Sequence, residues 1–129
     1  MKANDKQKIK SYKDLAVWQK AMVLVGEVYK ISQTFPQTEV FTLTSQLRRA
    51  AISIPSNIAE CYGRNMTREY QQFLRIARGS LLEVETCMQI ADNLGYLQQQ
   101  QLTLLLSQTK EINKMLNAII NSLAKSKSQ

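Results

Sequence analysis

The sequence predicts an all-α protein that folds as an antiparallel up-down-up-down four-helix bundle. Four glycines and two prolines among 129 residues are too few for the many turns of an all-β fold. Apolar residues recur at spacings of three and four along four stretches of similar length. Short breaks separate the stretches at residues 35–36, 63–65 and 93–95. Short connections between helices of similar length place sequence neighbours antiparallel.

The length of the chain is that of one domain, which needs neither a disulfide nor a metal to fold. Lysines dominate the first residues, and the last residues are polar. We therefore expect a flexible basic arm at residues 1–10, the four-helix bundle at residues 11–124 and a polar tail at residues 125–129.

The first helix, expected over residues 14–33, is apolar on two opposite faces. We assign one face to the core of the bundle, namely Leu15, Trp18, Met22, Val25 and Tyr29. The second face is then left for a neighbouring subunit, and it consists of Val17, Leu24, Val28 and Ile31.

The second helix, expected over residues 40–62, keeps its apolar spacing through Pro55. Its predicted core residues are Leu43, Leu47, Ala50, Ile54 and Ile58. A proline inside a helix removes one backbone hydrogen bond, so we expect a kink at Pro55, with Ser53 and Ser56 satisfying the loosened backbone. Two short helices broken at Pro55 are the alternative.

The third and fourth helices have the longest stripes. Thr67 is the predicted N-cap of the third helix, and Gly95 is expected just after its end. The third stripe consists of Tyr70, Phe73, Leu74, Ala77, Leu81, Val84, Met88 and Ala91. The fourth, expected over residues 98–124, consists of Leu102, Leu105, Thr109, Ile112, Leu116, Ile119 and Leu123.

The chain contains no histidine, which excludes histidine-based catalysis and imidazole zinc sites. Cys61 and Cys87 are too few for a Cys₄ metal site and too far apart along the helices for a disulfide. No phosphate-binding loop or catalytic motif is present. We expect a non-enzyme without metal or cofactor. Two free thiols, no apolar leader and no membrane-spanning run indicate the cytoplasm.

The net charge of +7 favours nucleic acid as a binding partner. All six arginines lie between residues 48 and 78, and we expect Arg48 or Arg49 to pair with Glu83 or Glu85 across the helix hairpin. Clustered cations bind phosphates independently of sequence. The predicted nucleic-acid contacts are Arg64, Arg68, Arg75, Arg78, Lys10 and Lys13. A solvated basic face with no partner is the alternative.

The face of the third helix opposite its core also predicts self-association. Ile76, Gly79 and Leu82 place apolar groups and a glycine among arginines. Such a surface is typical of close helix packing between subunits. Together with the second face of the first helix, it predicts a homo-oligomer.

Three segments carry a family resemblance: KDLAVWQKA at residues 13–21, SIPSNIAE at 53–60 and IARGSL at 76–81. They resemble the four-helix bundle proteins encoded within intervening sequences of bacterial 23S ribosomal RNA genes, over residues 11–123. That family is related to the accessory variability proteins of diversity-generating retroelements. The family pattern has glycine where this chain has Cys61, a small residue that is easily buried.

The resemblance implies a homopentamer with a central channel. The retroelement relation implies nucleic acid and a reverse transcriptase as partners. The residues themselves favour neither a membrane, since no apolar run is long enough to span one, nor a small-molecule substrate, since no residue supports a binding site for one. The resemblance to the intervening-sequence family also implies a structural role for four polar residues. They are predicted to form a polar network around the Pro55 kink, and they are Arg49, Asn57, Glu60 and Glu83. The alternative function is a protein-interaction scaffold that docks an acidic partner without binding nucleic acid.

Overall fold

The computed structural model describes residues 8–125 as a bundle of four α-helices. The helices are α1 (Ala16–Ser32), α2 (Leu43–Gly63), α3 (Gln72–Asn93) and α4 (Gln99–Lys125). Single-turn 3₁₀ helices precede the first three, at Tyr12–Asp14, Gln37–Glu39 and Arg68–Tyr70. Each helix packs against its sequence neighbours, and α4 closes the bundle against α1. The predicted all-α four-helix bundle is confirmed. Within residues 8–125 no helix is both long and apolar enough to span a membrane.

One apolar cluster, built from all four helices, forms the core. All five predicted core residues of α2 are buried, and so are the six from Leu74 onward in α3. In α4 the stripe is buried through Leu116, and Ile120 takes the place expected of Ile119. The stripes of these three helices therefore face inward as their spacing predicts.

The assignment of the two faces of α1 was wrong. Val17, Leu24, Val28 and Ile31, predicted to meet a neighbouring subunit, are buried in the core of the single chain together with Ala21. Trp18, Met22, Val25 and Tyr29 instead line the outer groove between α1 and α2. Both faces have helical spacing, so periodicity does not separate them. The aliphatic face fills the core, while Trp18 is half-buried and Tyr29 is exposed, as is common for aromatic rings that carry a polar atom.

Helix α2 runs without interruption through Pro55, so the alternative of two short helices is wrong. Hydrogen bonds from side chains support the backbone beside the proline. Ser56 Oγ donates to the Ile52 carbonyl at 2.9 Å, and Asn57 Nδ2 donates to the Ser53 carbonyl at 2.8 Å. These contacts add to the hydrogen bonding on either side of the proline, whereas the acceptor that loses its amide partner to Pro55 is the Ala51 carbonyl, four residues earlier.

The turns that follow α2 and α3 depend on three residues with positive φ. Asn65 (φ 70°) and Met66 (φ 49°) reverse the chain after α2, and the Met66 N–H donates to the Cys61 carbonyl at 2.8 Å. Gly95 (φ 79°) follows α3 as predicted, and the Tyr96 N–H donates to the Ala91 carbonyl at 2.9 Å. This is the hydrogen-bond pattern of a glycine-terminated helix.

The start of α3 differs from the prediction. Thr67 precedes the 3₁₀ turn Arg68–Tyr70, its side chain forms no capping hydrogen bond, and α3 begins only at Gln72. The start of α1 is fixed by Ser11 and Asp14, which form a capping box around the first 3₁₀ turn. Of the predicted arm, residues 1–7 lie outside the described part of the chain, as do residues 126–129 of the predicted tail.

Candidate nucleic-acid interface

The charges of the protein are separated along the axis of the bundle. We define the basic half as residues 8–24, 53–82 and 113–125, which the alternating helix directions bring to one end. It contains ten lysines and arginines but only three carboxylates. They are Lys8, Lys10, Lys13, Lys20, Arg64, Arg68, Arg75, Arg78, Lys114 and Lys125, with Asp14, Glu60 and Glu69.

The acidic half, residues 25–52 and 83–112, has the opposite balance. Its four cations are Lys30, Arg48, Arg49 and Lys110, and its six carboxylates are Glu27, Glu39, Glu83, Glu85, Asp92 and Glu111. The net charge is therefore +7 in the basic half and −2 in the acidic half. Because the two halves differ so strongly, the electrostatic potential is concentrated at one end.

Two of the three carboxylates in the basic half are engaged within the fold. The Asp14 carboxylate accepts hydrogen bonds from the backbone N–H groups of Lys10 and Ser11, at 2.8 and 3.2 Å. Glu60 forms an ion pair with Arg64 at 3.0 Å. The side chains of Lys10, Lys13, Arg68 and Arg75 are exposed. These four predicted cations are thus available to an external anion.

Arg64, one of the predicted nucleic-acid contacts, is held in place by partners within the chain. Besides its ion pair with Glu60, its guanidinium lies over the rings of Tyr70 and Phe73, at 5.3 and 5.4 Å from their centroids. Its side chain is still 46% exposed. Arg64 therefore presents an oriented charge, and it covers the rings of Tyr70 and Phe73.

Arg78 belongs to the interior contacts of the bundle. Its Nη1 donates to Asn117 Oδ1 at 2.6 Å and so ties α3 to α4. The side chain is half-buried. We remove Arg78 from the candidate interface, since a phosphate would have to displace Asn117. This pairing was not predictable from the sequence, because Asn117 lies 39 residues away on another helix.

The expected pairing of Arg48 or Arg49 with Glu83 or Glu85 was wrong. Arg48 Nε donates to Ser32 Oγ at 2.8 Å, and its guanidinium lies 4.5 Å from the centroid of the Tyr29 ring. Glu83 accepts a hydrogen bond from Gln46, and Glu85 accepts one from Thr109 at 2.6 Å. The rotation of α2 about its axis turns Gln46 toward α3 and Arg48 toward α1.

A polar network does lie beside Pro55, but with other members than predicted. Ser53 Oγ accepts hydrogen bonds from Asn57 Nδ2 at 3.0 Å and from Ser80 Oγ at 2.8 Å. Only Asn57 was assigned correctly. Arg49 and Glu60 are exposed, and Glu83 bonds to Gln46 elsewhere on the hairpin. The small serines allow α2 and α3 to approach closely at this point.

Neither cysteine is suited to nucleophilic chemistry. Cys61 and Cys87 are free and buried. Burial raises the pKa of the Cys61 thiol. The pKa of the Cys87 thiol is raised mainly by burial and, to a smaller extent, by the negative charge of Glu83. Both thiols therefore stay protonated at neutral pH. Among residues 8–125 no cluster of three potential metal ligands is found.

The fold and the charge distribution define a class of protein: a small antiparallel four-helix bundle with one electropositive end. The chain belongs to the 23S rRNA-intervening sequence protein family, whose sequence model matches residues 13–118. A search of curated proteins finds no match.

A similar solved structure is that of a protein of unknown function from the S23 ribosomal protein family of Bacteroides thetaiotaomicron. The two chains are 23% identical, and their structures superpose with a TM-score of 0.74. The match covers 81% of this chain and 98% of the other. At this identity the likeness supports the four-helix fold alone.

Proposed function

We propose that this protein is a non-enzymatic homo-oligomer that binds RNA or DNA through its basic half. The observation that carries the proposal is the separation of charge, +7 against −2, along the bundle. The 23S rRNA-intervening sequence family gives the proposal its biological setting. A pentamer is the stoichiometry that the family resemblance implies.

The geometry supports recognition of the phosphate backbone rather than of bases. The exposed cations Lys10, Lys13, Arg68 and Arg75 precede or begin helices at the same end of the bundle. Tyr70 and Phe73 pack against the core and are covered by Arg64, so these two rings offer no platform on which bases would stack. Binding of this kind is insensitive to sequence and falls steeply with salt.

The same cations fit an acidic protein surface, which is the second candidate function. The reverse transcriptase implied by the retroelement relation belongs to the first function, as an enzyme that this nucleic-acid-binding protein would assist. In both cases the contact lies on the basic half. A protein partner, however, would leave the affinity for RNA without any dependence on particular arginines.

The test compares two double variants that remove the same charge from opposite halves. We expect Arg68→Ala/Arg75→Ala to weaken binding of a structured RNA and to lower the slope of log affinity against log salt by about 0.7–0.9 per contact and subunit. Lys30→Ala/Lys110→Ala, in the acidic half, is the matched control and should leave that slope unchanged. Fluorescence anisotropy at several salt concentrations measures both. Equal effects of the two variants would show that net charge alone attracts the RNA, and the protein-scaffold function would then lead.

A further inference from the structure

A depression with two arginines lies in the acidic half, where the first turns of α2 meet the end of α1. Its volume is about 360 Å³. The residues that line it are Tyr29, Val40, Phe41, Thr44, Ser45, Arg48, Arg49 and Ile52, and none of them is acidic. We call it the arginine depression. It combines positive charge, hydroxyl groups and apolar side chains in one place.

The helical spacing of α2 brings these groups together. Ser45 precedes Arg48 and Arg49 by three and four positions, and Ile52 follows them by four and three positions. Residues at these spacings are neighbours on the surface of a helix. The two guanidinium groups therefore reach the same depression, with Ile52 between them around the helix axis.

Arg48 is oriented by partners on α1. Its Nε donates to Ser32 Oγ at 2.8 Å, its Nη2 lies 3.5 Å from the Tyr29 carbonyl oxygen, and its guanidinium lies over the Tyr29 ring. Within residues 8–125 no carboxylate lies at ion-pair distance from Arg48 or from the exposed Arg49. A guanidinium held in this way loses little conformational freedom when it binds an oxyanion.

Thr44 is a buried polar residue whose hydroxyl has no partner in the described part of the chain. The residue is 5% exposed, and Oγ1 makes no hydrogen bond. Buried hydroxyl groups in proteins are nearly always hydrogen-bonded, so this one requires an explanation. Because Thr44 lines the arginine depression, its hydroxyl is placed to donate to an anion bound there.

The nearest carboxylate along the chain does not oppose an anion at this place. Glu39 is not among the lining residues, and its carboxylate accepts hydrogen bonds from Thr42 and Tyr96 instead. The arginine depression is therefore a local positive site within a half of the bundle that is negative in total.

We propose that the arginine depression binds a small phosphate monoester with a flat ring, of the nucleoside monophosphate class. The phosphate lies between the two guanidinium groups and accepts a hydrogen bond from the Thr44 hydroxyl. Two guanidinium groups and two hydroxyls supply more donors than the two oxygens of a carboxylate use, and they suit the three oxygens of a phosphate.

The ring of the ligand stacks on Phe41. This side chain is 91% exposed, so a face of its ring is open to a base. The volume of the depression falls within the range of about 300–1,000 Å³ that is usual for small-molecule sites. The inference goes beyond the proposed function, because it uses none of the cations assigned to RNA. The sequence predicted no such site, since Tyr29 and Ser32 lie 19 and 16 residues before Arg48.

Isothermal titration calorimetry of the full chain with adenosine monophosphate (AMP) tests the site. We expect AMP to bind more tightly than adenosine or inorganic phosphate, because each of these engages only one part of the depression. Arg49→Ala should weaken AMP binding about tenfold or more. Phe41→Ala should weaken it about fivefold or more, and should leave the affinity for inorganic phosphate unchanged. Both side chains are exposed, so circular dichroism should show unchanged helical content.

Two further variants separate the site from charge in general. Lys110→Ala removes one positive charge from the acidic half outside the depression, and it should leave AMP affinity unchanged. Thr44→Val removes the hydroxyl at nearly constant volume and should weaken AMP binding. Equal losses in Arg49→Ala and Lys110→Ala would overturn the proposal, as would AMP that binds no more tightly than inorganic phosphate.

Competition with a structured RNA distinguishes this site from the basic half. AMP bound in the arginine depression should not displace RNA that the basic half holds. Displacement of the RNA by AMP that Arg49→Ala leaves unchanged would assign AMP to the basic half and overturn the proposal. A failure of RNA to bind would overturn the proposed function alone, whereas a failure of AMP to bind at millimolar concentration would overturn only the present inference.

Discussion

Tyr96 and Glu39 join the two loops at the acidic end of the bundle. The Tyr96 hydroxyl donates to Glu39 Oε2 at 2.9 Å, and the Tyr96 ring packs 5.7 Å, between centroids, from that of Phe35. Glu39 also accepts a hydrogen bond from Thr42 Oγ1 at 2.7 Å. One carboxylate thus links the turn before α2 to the turn before α4, and these loops have no other described side-chain hydrogen bond between them.

This pair predicts a pH window for its contribution to stability. The hydrogen bonds from Thr42 and Tyr96 lower the pKa of Glu39 below 4.5, and the bond to Glu39 raises the pKa of Tyr96 above 10.0. Its stabilisation is therefore lost as pH falls through the folded-state pKa of Glu39 or rises through that of Tyr96. Urea melts of Tyr96→Phe and the wild type should differ most near neutral pH. Tyr62→Phe is the control, and a difference that does not vary with pH would contradict the assignment.

Shortening a side chain to alanine should reduce the free energy of unfolding by different amounts on the two faces of α1. Leu24→Ala removes a side chain that is fully buried in the core and should lower the free energy of unfolding by about 2–5 kcal/mol. Met22→Ala, in the groove, should cost much less in the single chain. Chemical denaturation at a concentration where the protein is monomeric separates the two. Equal losses of unfolding free energy in the two variants would show that Met22 packs in the core as Leu24 does.

The serine network beside Pro55 predicts a loss for Asn57→Ala. This change leaves Ser53 without one of its two side-chain partners, and we expect a loss of about 1 kcal/mol. A double-mutant cycle with Ser80→Ala measures whether the two contacts are coupled through Ser53. Additive losses would show that the three side chains act independently.

Glu60 forms an ion pair that is exposed to solvent, in contrast to the part-buried hydrogen bonds of Asn57. It pairs with Arg64 one helical turn away, and both side chains are about half exposed, so Glu60→Ala should cost about 0.3–0.5 kcal/mol. The effect should vanish at high salt, since solvent ions screen the pair. Urea melts at low and high salt check this. A loss of unfolding free energy above about 1 kcal/mol that persists at high salt would show that Glu60 takes part in a buried polar network instead.

The sequence was sufficient for the fold because one long apolar stripe dominates each of three helices, although α3 also carries Ile76 and Leu82 on its opposite face. Ile54 and Ile58 keep their spacing through Pro55, which correctly predicted one continuous helix. The faces of α1 were not predictable in the same way, since the two stripes that begin at Leu15 and at Val17 both have helical spacing. Only the packing of the other three helices decides which stripe is enclosed.

The candidate site was predictable in location but not in detail. The concentration of arginines around the turn at residue 64 is visible in the sequence, whereas their partners are not. Arg78 meets Asn117, and Arg48 meets Ser32, because of how each helix is rotated about its axis. Apolar spacing defines that rotation only to within a broad arc, so partners on neighbouring helices stay undetermined.

Photocrosslinking of a structured RNA to the wild-type protein, followed by mass spectrometry of the crosslinked peptides, tests most directly whether the basic half binds nucleic acid. We predict crosslinks in the peptides that contain Lys10, Lys13, Arg68 and Arg75, with a yield that falls as salt is raised. Crosslinks that fall mainly in residues 25–52 and 83–112, or that are spread evenly over both halves, would contradict the proposal.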